Sequence, residues 1–242
     1  MPSPEVLRAP TDASGPSPPS AAAVRALATD LDRTLTDADL VLVPRVLDAL
    51  ARARAAGGRV VVVSGRDLPF LRSHVGHVAD AIVAENGAIL LLPQGAPRRL
   101  GPSVDVQGAL ARLAVPLERG EVLASADVEH EELLRATLVQ AGIDATLIRN
   151  RDRVMVLPRG VDKALGVLAA LDALGVAPEH AAAAGDGEND VPLLASVGYR
   201  VAVGNAVPEL KAIAAHVPSQ YGGEGLADWI EGCWIPALEA AR

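Results

Sequence analysis

The sequence predicts an α/β fold, a doubly wound parallel sheet with an α+β domain inserted into it. Three observations predict it. Strand-like apolar runs alternate with amphipathic helical stretches at both ends of the chain. One of those runs, "RVVVVSG" at 59–65, is continuously β-branched, as a strand buried on both faces requires. The middle of the chain, from about 88 to 158, breaks the alternation and closes in two strand-like runs around "NRD".

The elements follow in order. "VRALATDL" (24–31) reads as the first strand. "PRVLDALARARAAGG" (44–58) reads as a helix that starts at a proline in its first turn and stops at Gly57-Gly58. After the β-branched strand come a short helix at 67–75 and a third strand, "AIVAENG", at 81–87. The insert is expected to hold "AILLLPQG", a helix near 103–115, "EVLAS", a helix at 129–142, and the strands "DATLIRN" and "RVMVLP". "HAAAAGDG" (180–187) reads as a strand despite its alanines, because a Gly-rich turn and a helix follow it. "YRVAVGNA" (199–206) is another strand, and 207–215 and 225–241 are helices. The expected division is a disordered Pro/Ser/Ala-rich tail at 1–22, a core domain from 23–87 and 159–242, and an inserted domain at 88–158.

Composition limits the function. Lys+Arg 22 against Asp+Glu 30 leaves a net charge of −8, which disfavours non-specific nucleic-acid binding. Aromatic residues make up only 2%, little material for stacking bases. One cysteine gives no intrachain disulfide and no thiolate zinc site. No apolar run is long enough to span a membrane, and the first residues lack the pattern of a signal peptide, so a cytoplasmic location is expected. The five histidines show no ligand spacing.

The chemistry falls at strand ends. Asp30 and Asp32 end the first strand, Ser64 follows the second, and Asp186 and Asp190 follow a later one. In an open α/β sheet ligands bind beyond the carboxyl ends of the strands, so these distant segments converge. Carboxylates brought together repel unless a cation relieves them, and a hard cation with oxygen ligands, most simply Mg²⁺, suits phosphate chemistry.

"DLDRTLT" resembles the DxDxT signature of the haloacid dehalogenase (HAD) superfamily. "VVVSGR", "GVDKALGVLAAL" and "GDGENDVPLL" are similar to its second, third and fourth motifs, in that order. The long interval between Ser64 and Lys163 leaves space for a cap domain, and "IVAENGA" is similar to the type IIB, Cof-like branch. That branch includes sugar phosphatases and archaeal-type phosphoglycolate phosphatases. The resemblance covers about 24–232, the cap by size and position only.

The resemblance implies a Rossmann-like core and a Mg²⁺-dependent phosphomonoesterase acting on a small phosphorylated metabolite, a phosphosugar or a phosphoglycolate-like acid. Asp30 would be the nucleophile and Asp32 the general acid and base. Asp30, the backbone carbonyl of Asp32, Asp186 and Asp190 would surround Mg²⁺, with Asp190 either a ligand or the anchor of one. Thr34, Ser64, the amide of Gly65, Lys163 and Asn189 form the implied phosphate site, Thr34 also fixing the motif loop. A phosphomutase, or a catalytically silent phosphometabolite-binding protein, is the alternative; the chain is expected to be a monomer or homodimer.

Some residues stay open. Arg66 reads either as a substrate contact or as a salt-bridge residue, and Glu85 and Asn86 either reach the substrate or bond the hinge backbone. Arg149, with Asn150, Arg151 and Arg153, stands near the last hairpin of the cap, where guanidinium groups suit a second anion but also serve as ordinary surface charge. Two positions depart from the family pattern. Arg33 stands where Gly is frequent, and Glu188 is an extra acid in the fourth motif, at the rim or tuning the metal.

Overall fold

The computed structural model describes residues 24–241; the tail expected at 1–22 lies outside the described residues. The first half of the core runs β1 (Ala26–Thr29), α1 (Pro44–Ala55), β2 (Arg59–Val63), α2 (Leu68–Val75), β3 (Ala81–Ala84), β4 (Ile89–Leu91) and β5 (Arg98–Arg99). The insert holds α3 (Val106–Ala109), β6 (Glu118–Arg119), β7 (Ala124–Asp127), α4 (Glu131–Gln140), β8 (Ala145–Asn150) and β9 (Arg153–Pro158). The chain returns through α5 (Lys163–Ala173), β10 (Ala181–Gly185), α6 (Val191–Ala195), β11 (Tyr199–Ala202), α7 (Pro208–Ile213), α8 (Gly222–Trp229) and α9 (Ile235–Ala240), a π-helical turn joining the last two.

The core sheet has the order β11-β10-β1-β2-β3-β4-β5, with its first five strands parallel. Strand alternation sends its side chains to two separate cores. Leu27, Val60, Val62, Ile82, Ala182 and Ala184 pack with α1, α2, α8 and α9, while Ala26, Ala28, Val61, Val63, Val83 and Ala183 pack with α5, α6 and α7. The four alanines of β10 are wholly buried at 0% exposure, so burial between two helix layers overrides their weak strand preference.

Two expectations are corrected. "AILLLPQG", assigned to the insert from residue 88, belongs to the core sheet, because β4 pairs antiparallel with β3 and β5 with β4. The cause is the turn at 85–87, where Glu85, Asn86 and Gly87 all have positive φ (51°, 56° and 106°) and reverse the chain beside β3. The helix near 103–115 shrinks to the four residues of α3, which Asp105 caps through the amide of Gly108, itself a poor helix former.

The insert forms a four-stranded antiparallel sheet, β6-β7-β9-β8. Val154, Val156, Ala124 and Ala126 face α3 and α4 in a core of their own, whereas Met155, Leu157 and Leu123 join the larger core cluster of the main domain. The cap sheet thus presents alternate residues to its own helices and to the core.

Candidate active site

Sequence-distant segments meet at the carboxyl edge of the core sheet. Asp30 and Asp32 leave β1, Ser64 and Gly65 leave β2, and the turn 185–190 leaves β10, the three neighbouring strands of the parallel ladder. α5 starts on the same edge, capped by Asp162 on the amide of Leu165, and brings Lys163 in at its first position.

Lys163 is the centre of the arrangement. Its Nζ donates to Asp30 Oδ1 and to Asp190 Oδ1, each at 2.6 Å, and the side chain is only 1% exposed. The other oxygen of Asp190 accepts from the amides of Asp186 and Gly187, both at 3.0 Å. Asp190 therefore spends both oxygens on the protein, pinning the turn that carries Asp186. One carboxylate oxygen from each of Asp30, Asp186 and Asp190 lies within 4.8 Å of the others, and all three residues are buried. Burial drives the carboxyl of Asp30 well above the ordinary range; the Lys163 ammonium opposes this, and Asp190, Asp186 and Asp32 add to it. Burial and Asp190 likewise raise Asp186, against Arg151 and Lys163. Lys163 is held above its ordinary value because Asp190 and Asp30 outweigh the desolvation that would lower it.

Asp32 points elsewhere. Arg66 grips it with Nε on Oδ2 at 3.0 Å and Nη2 on Oδ1 at 2.9 Å, so Arg66 makes a salt bridge here and the carboxylate of Asp32 stands apart from the three-aspartate cluster. Next to Asp32, Arg33 has φ 60°, a conformation glycine adopts freely, which gives the Gly frequent at this position of the motif a physical reason. The loop is tied by Thr36, whose Oγ1 accepts from the amide of Arg33 at 2.6 Å. Thr34, expected to fix this loop, is fully buried, and its hydroxyl has no partner among the described residues. Ser64 Oγ accepts from the amide of Arg66 at 3.2 Å, and Asn189 donates to Asn86 Oδ1 at 3.1 Å. Asn86 is buried behind Ser64, its amide donating to the Ser64 carbonyl at 2.8 Å.

The cap closes over this edge. Met155 lies above Gly65, and Asn150 packs on Gly187. The tip of the β8–β9 hairpin reaches furthest: the Arg151 guanidinium bonds Asp186, and its amide donates to Glu188 Oε2 at 3.2 Å. Glu188 therefore receives the cap tip. Arg149 does not reach the site. It stands opposite Val154 on the face turned to the cap helices and pairs with Glu131 of α4. Glu85 does not reach it either. Its carboxylate, 2% exposed, accepts the amides of Glu121, Val122 and Leu123 at 2.7, 2.7 and 2.8 Å, binding the β6–β7 turn of the cap to the hinge.

Asn205 escaped the sequence reading. Its Nδ2 donates to the Arg33 carbonyl at 3.0 Å and to Asp186 Oδ2 at 3.3 Å, while its Oδ1 accepts the amide of Gly222 at 2.7 Å. The signal was present, because Asn205 follows β11 and so leaves the same sheet edge.

Three buried carboxylates with hard oxygen donors, one oxygen of each within 4.8 Å of the others, suit a divalent cation such as Mg²⁺. A family model described as haloacid dehalogenase-like hydrolase matches residues 27–96 and 119–230. The chain belongs to this family. The stretch between the two matched segments holds β5 and α3, where the cap begins. A phosphoglycolate phosphatase of Methanothermobacter thermautotrophicus is 31% identical over 85% of this chain and 96% of its own length. Another, of Natronomonas pharaonis, is 30% identical over 90% and 98%. Among solved structures, a Thermoplasma acidophilum protein superposes with a TM-score of 0.77 at 18% identity, covering 88% of this chain and 99% of that one. A HAD subclass IIB sugar phosphatase gives a TM-score of 0.69 at 18% identity, over 86% and 98%. The chain is thus a phosphatase-type hydrolase with the HAD fold. No helix among the described residues is long and apolar enough to cross a membrane.

Proposed function

We propose that the enzyme is a Mg²⁺-dependent phosphomonoesterase that hydrolyses a small phosphorylated metabolite through an aspartyl-phosphate on Asp30. A phosphoglycolate-like acid is the favoured substrate class, by likeness to the phosphoglycolate phosphatases. The carrying observation is the Asp30–Lys163 pair at 2.6 Å, buried beside Asp186 and Asp190 at the carboxyl edge of the sheet.

Burial alone would favour a protonated, inert Asp30; the Lys163 ammonium opposes that and favours the nucleophilic carboxylate. Asp30 attacks phosphorus, the bond to the leaving oxygen breaks, and that oxygen takes a proton from Asp32. Asp32 then accepts a proton from the water that cleaves the acyl phosphate, and phosphate departs. Ser64 and the Gly65 amide would hold phosphoryl oxygens, with Lys163 and Asn189. Asp30, Asp186 and the backbone carbonyl of Asp32 would hold Mg²⁺, with Asp190 fixing Asp186; the ion supplies positive charge to the phosphoryl oxygens. The cap shields the acyl phosphate from bulk water.

Phosphate release from a panel of phosphorylated acids and sugars, with Mg²⁺, with EDTA and with Asp30→Asn, tests this. Mg²⁺-dependent turnover lost in the variant is expected. Absence of release from every compound refutes the reading, and phosphoryl transfer back to substrate would make the enzyme a mutase.

A further inference from the structure

We infer that Arg66 reads a carboxylate on the leaving group, so that the enzyme favours phosphate esters of hydroxy acids over esters of neutral alcohols. The inference rests on the phosphatase reading above and adds the residue that makes the choice.

Position comes first. Asp32, as the proton donor to the leaving oxygen, must abut the organic part of the substrate. Arg66 is bonded to both Asp32 oxygens and so lies on that same side. Two other cations of the site are committed elsewhere: Lys163 is buried between Asp30 and Asp190, and Arg151 bonds Asp186.

Chemistry comes second. A guanidinium offers five N–H donors in a planar fork, and its two edges can each meet a carboxylate. Asp32 takes the Nε/Nη2 edge. Nη1 has no hydrogen-bond partner among the described residues, and Nη2 keeps a second hydrogen, so the end edge is open to another carboxylate without loss of Asp32. The side chain is 42% exposed, accessible to an incoming ligand. The fork is also held in place, because Arg66 Cζ lies 5.2 Å from the Phe70 ring centre, and Phe70 stacks on His74 at 4.0 Å. Glu118 of β6, largely exposed at 79% and paired with Arg153 at 3.1 Å, is the cap carboxylate whose charge also reaches Arg66. An anion bound at Arg66 has to outcompete that residue, which a substrate anchored by its phosphate does through effective concentration.

The test compares phosphoglycolate with 2-hydroxyethyl phosphate, a neutral ester of similar length, in the full chain with Mg²⁺. The readout is the ratio of the two kcat/KM values in wild type, Arg66→Lys and Arg66→Gln. Loss of Arg66 also disturbs Asp32 and slows both esters, and the ratio removes that shared effect. The wild type is expected to favour the carboxylate ester by about tenfold or more, Arg66→Gln to lose that preference, and Arg66→Lys to keep part of it. A ratio unchanged in Arg66→Gln, or a wild type that favours the neutral ester, overturns the inference while phosphatase activity stands. No turnover of either ester by a wild type that releases phosphate from another compound of the panel overturns the inference, whereas no release from any of them overturns the phosphatase reading instead. Competitive inhibition of wild type by glycolate against ethylene glycol needs no variant; equal inhibition overturns the inference too.

Discussion

Replacing Glu85 by Ala should loosen the joint between cap and core, and its partner is Gly120. The Glu85 carboxylate takes three amides at 2.7–2.8 Å in a buried seam. Each N–H left without an acceptor costs about 1–3 kcal/mol, and water entering the vacated space recovers part of that, so about 3 kcal/mol is expected for Glu85→Ala. Glu85→Gln should cost about 1–2 kcal/mol, because its carbonyl can keep Val122 and Leu123 while its NH₂ faces the Glu121 amide. Gly120 makes room for the carboxylate: a Cβ there would lie 2.5 Å from Glu85 Cδ and 2.6 Å from each oxygen. Gly120→Ala should therefore cost about 1–3 kcal/mol by overpacking. Truncation at 85 removes the atoms that this methyl strikes, so the double variant should cost less than the sum by at least about 1 kcal/mol. Urea unfolding of the four proteins in the cycle measures this. Equal cost of Gly120→Ala in both backgrounds would refute the coupling and the role given to Glu85.

Mg²⁺ at a hundred times its dissociation constant should stabilise the wild type by about 2.7 kcal/mol, and Asp186→Asn should lose most of that response in a thermal melt. In EDTA, Lys163→Met should cost about 3–5 kcal/mol, since it leaves Asp30 and Asp190 buried without their shared cation; adding Asp30→Asn should recover part of it, measured by urea unfolding. Without metal, Asp30 and Asp186 should act in the reverse sense to the carboxylates that drive ordinary acid denaturation. Asp30 and Asp186 have folded values above the ordinary 3.8, so in that window the folded state binds more protons than the unfolded one. Their contribution to stability falls as pH rises from 3.8 through the raised values. Lys163, raised above 10.5, contributes fully below that pH and loses its contribution only as pH rises through its folded value. Urea midpoints in EDTA between about pH 4 and 8, compared with Asp30→Asn, check the carboxylate effect, which should be smaller in the variant.

The parallel core was legible because its signals are local. The β-branched run at 60–63 and the helix opening at Pro44 each declare themselves within a few residues. The aspartates were legible for a related reason: the carboxyl-edge rule needs only strand order and direction. The boundary of the insert was not, because three consecutive positive-φ residues at 85–87 fold β4 back on β3, and only one of them is a glycine. Thr34 and Thr36 show the limit within one motif. Both are buried threonines two residues apart, and which hydroxyl meets the amide of Arg33 depends on the course of a turn that sequence spacing does not specify.

The cap arginines carry the same lesson to the site. Arg149 and Arg151 are two apart, the spacing at which strand residues share a face, so a reading from the pattern alone treats them alike. The strand ends between them. Asn150 pairs with Arg153, which leaves Arg151 and Asp152 as the turn, and Arg151 takes φ 56°, a conformation that glycine usually supplies at the first position of such a turn. Leaving the strand frees Arg151 from the helix-facing parity that sends Arg149 to Glu131, and its bonds to Asp186 and Glu188 offset the strain of the backbone. Which arginine enters the site is thus decided by the register of one hairpin. A slip of one residue in β8 would exchange the faces of Arg149 and Ile148 and unseat the tip from Glu188.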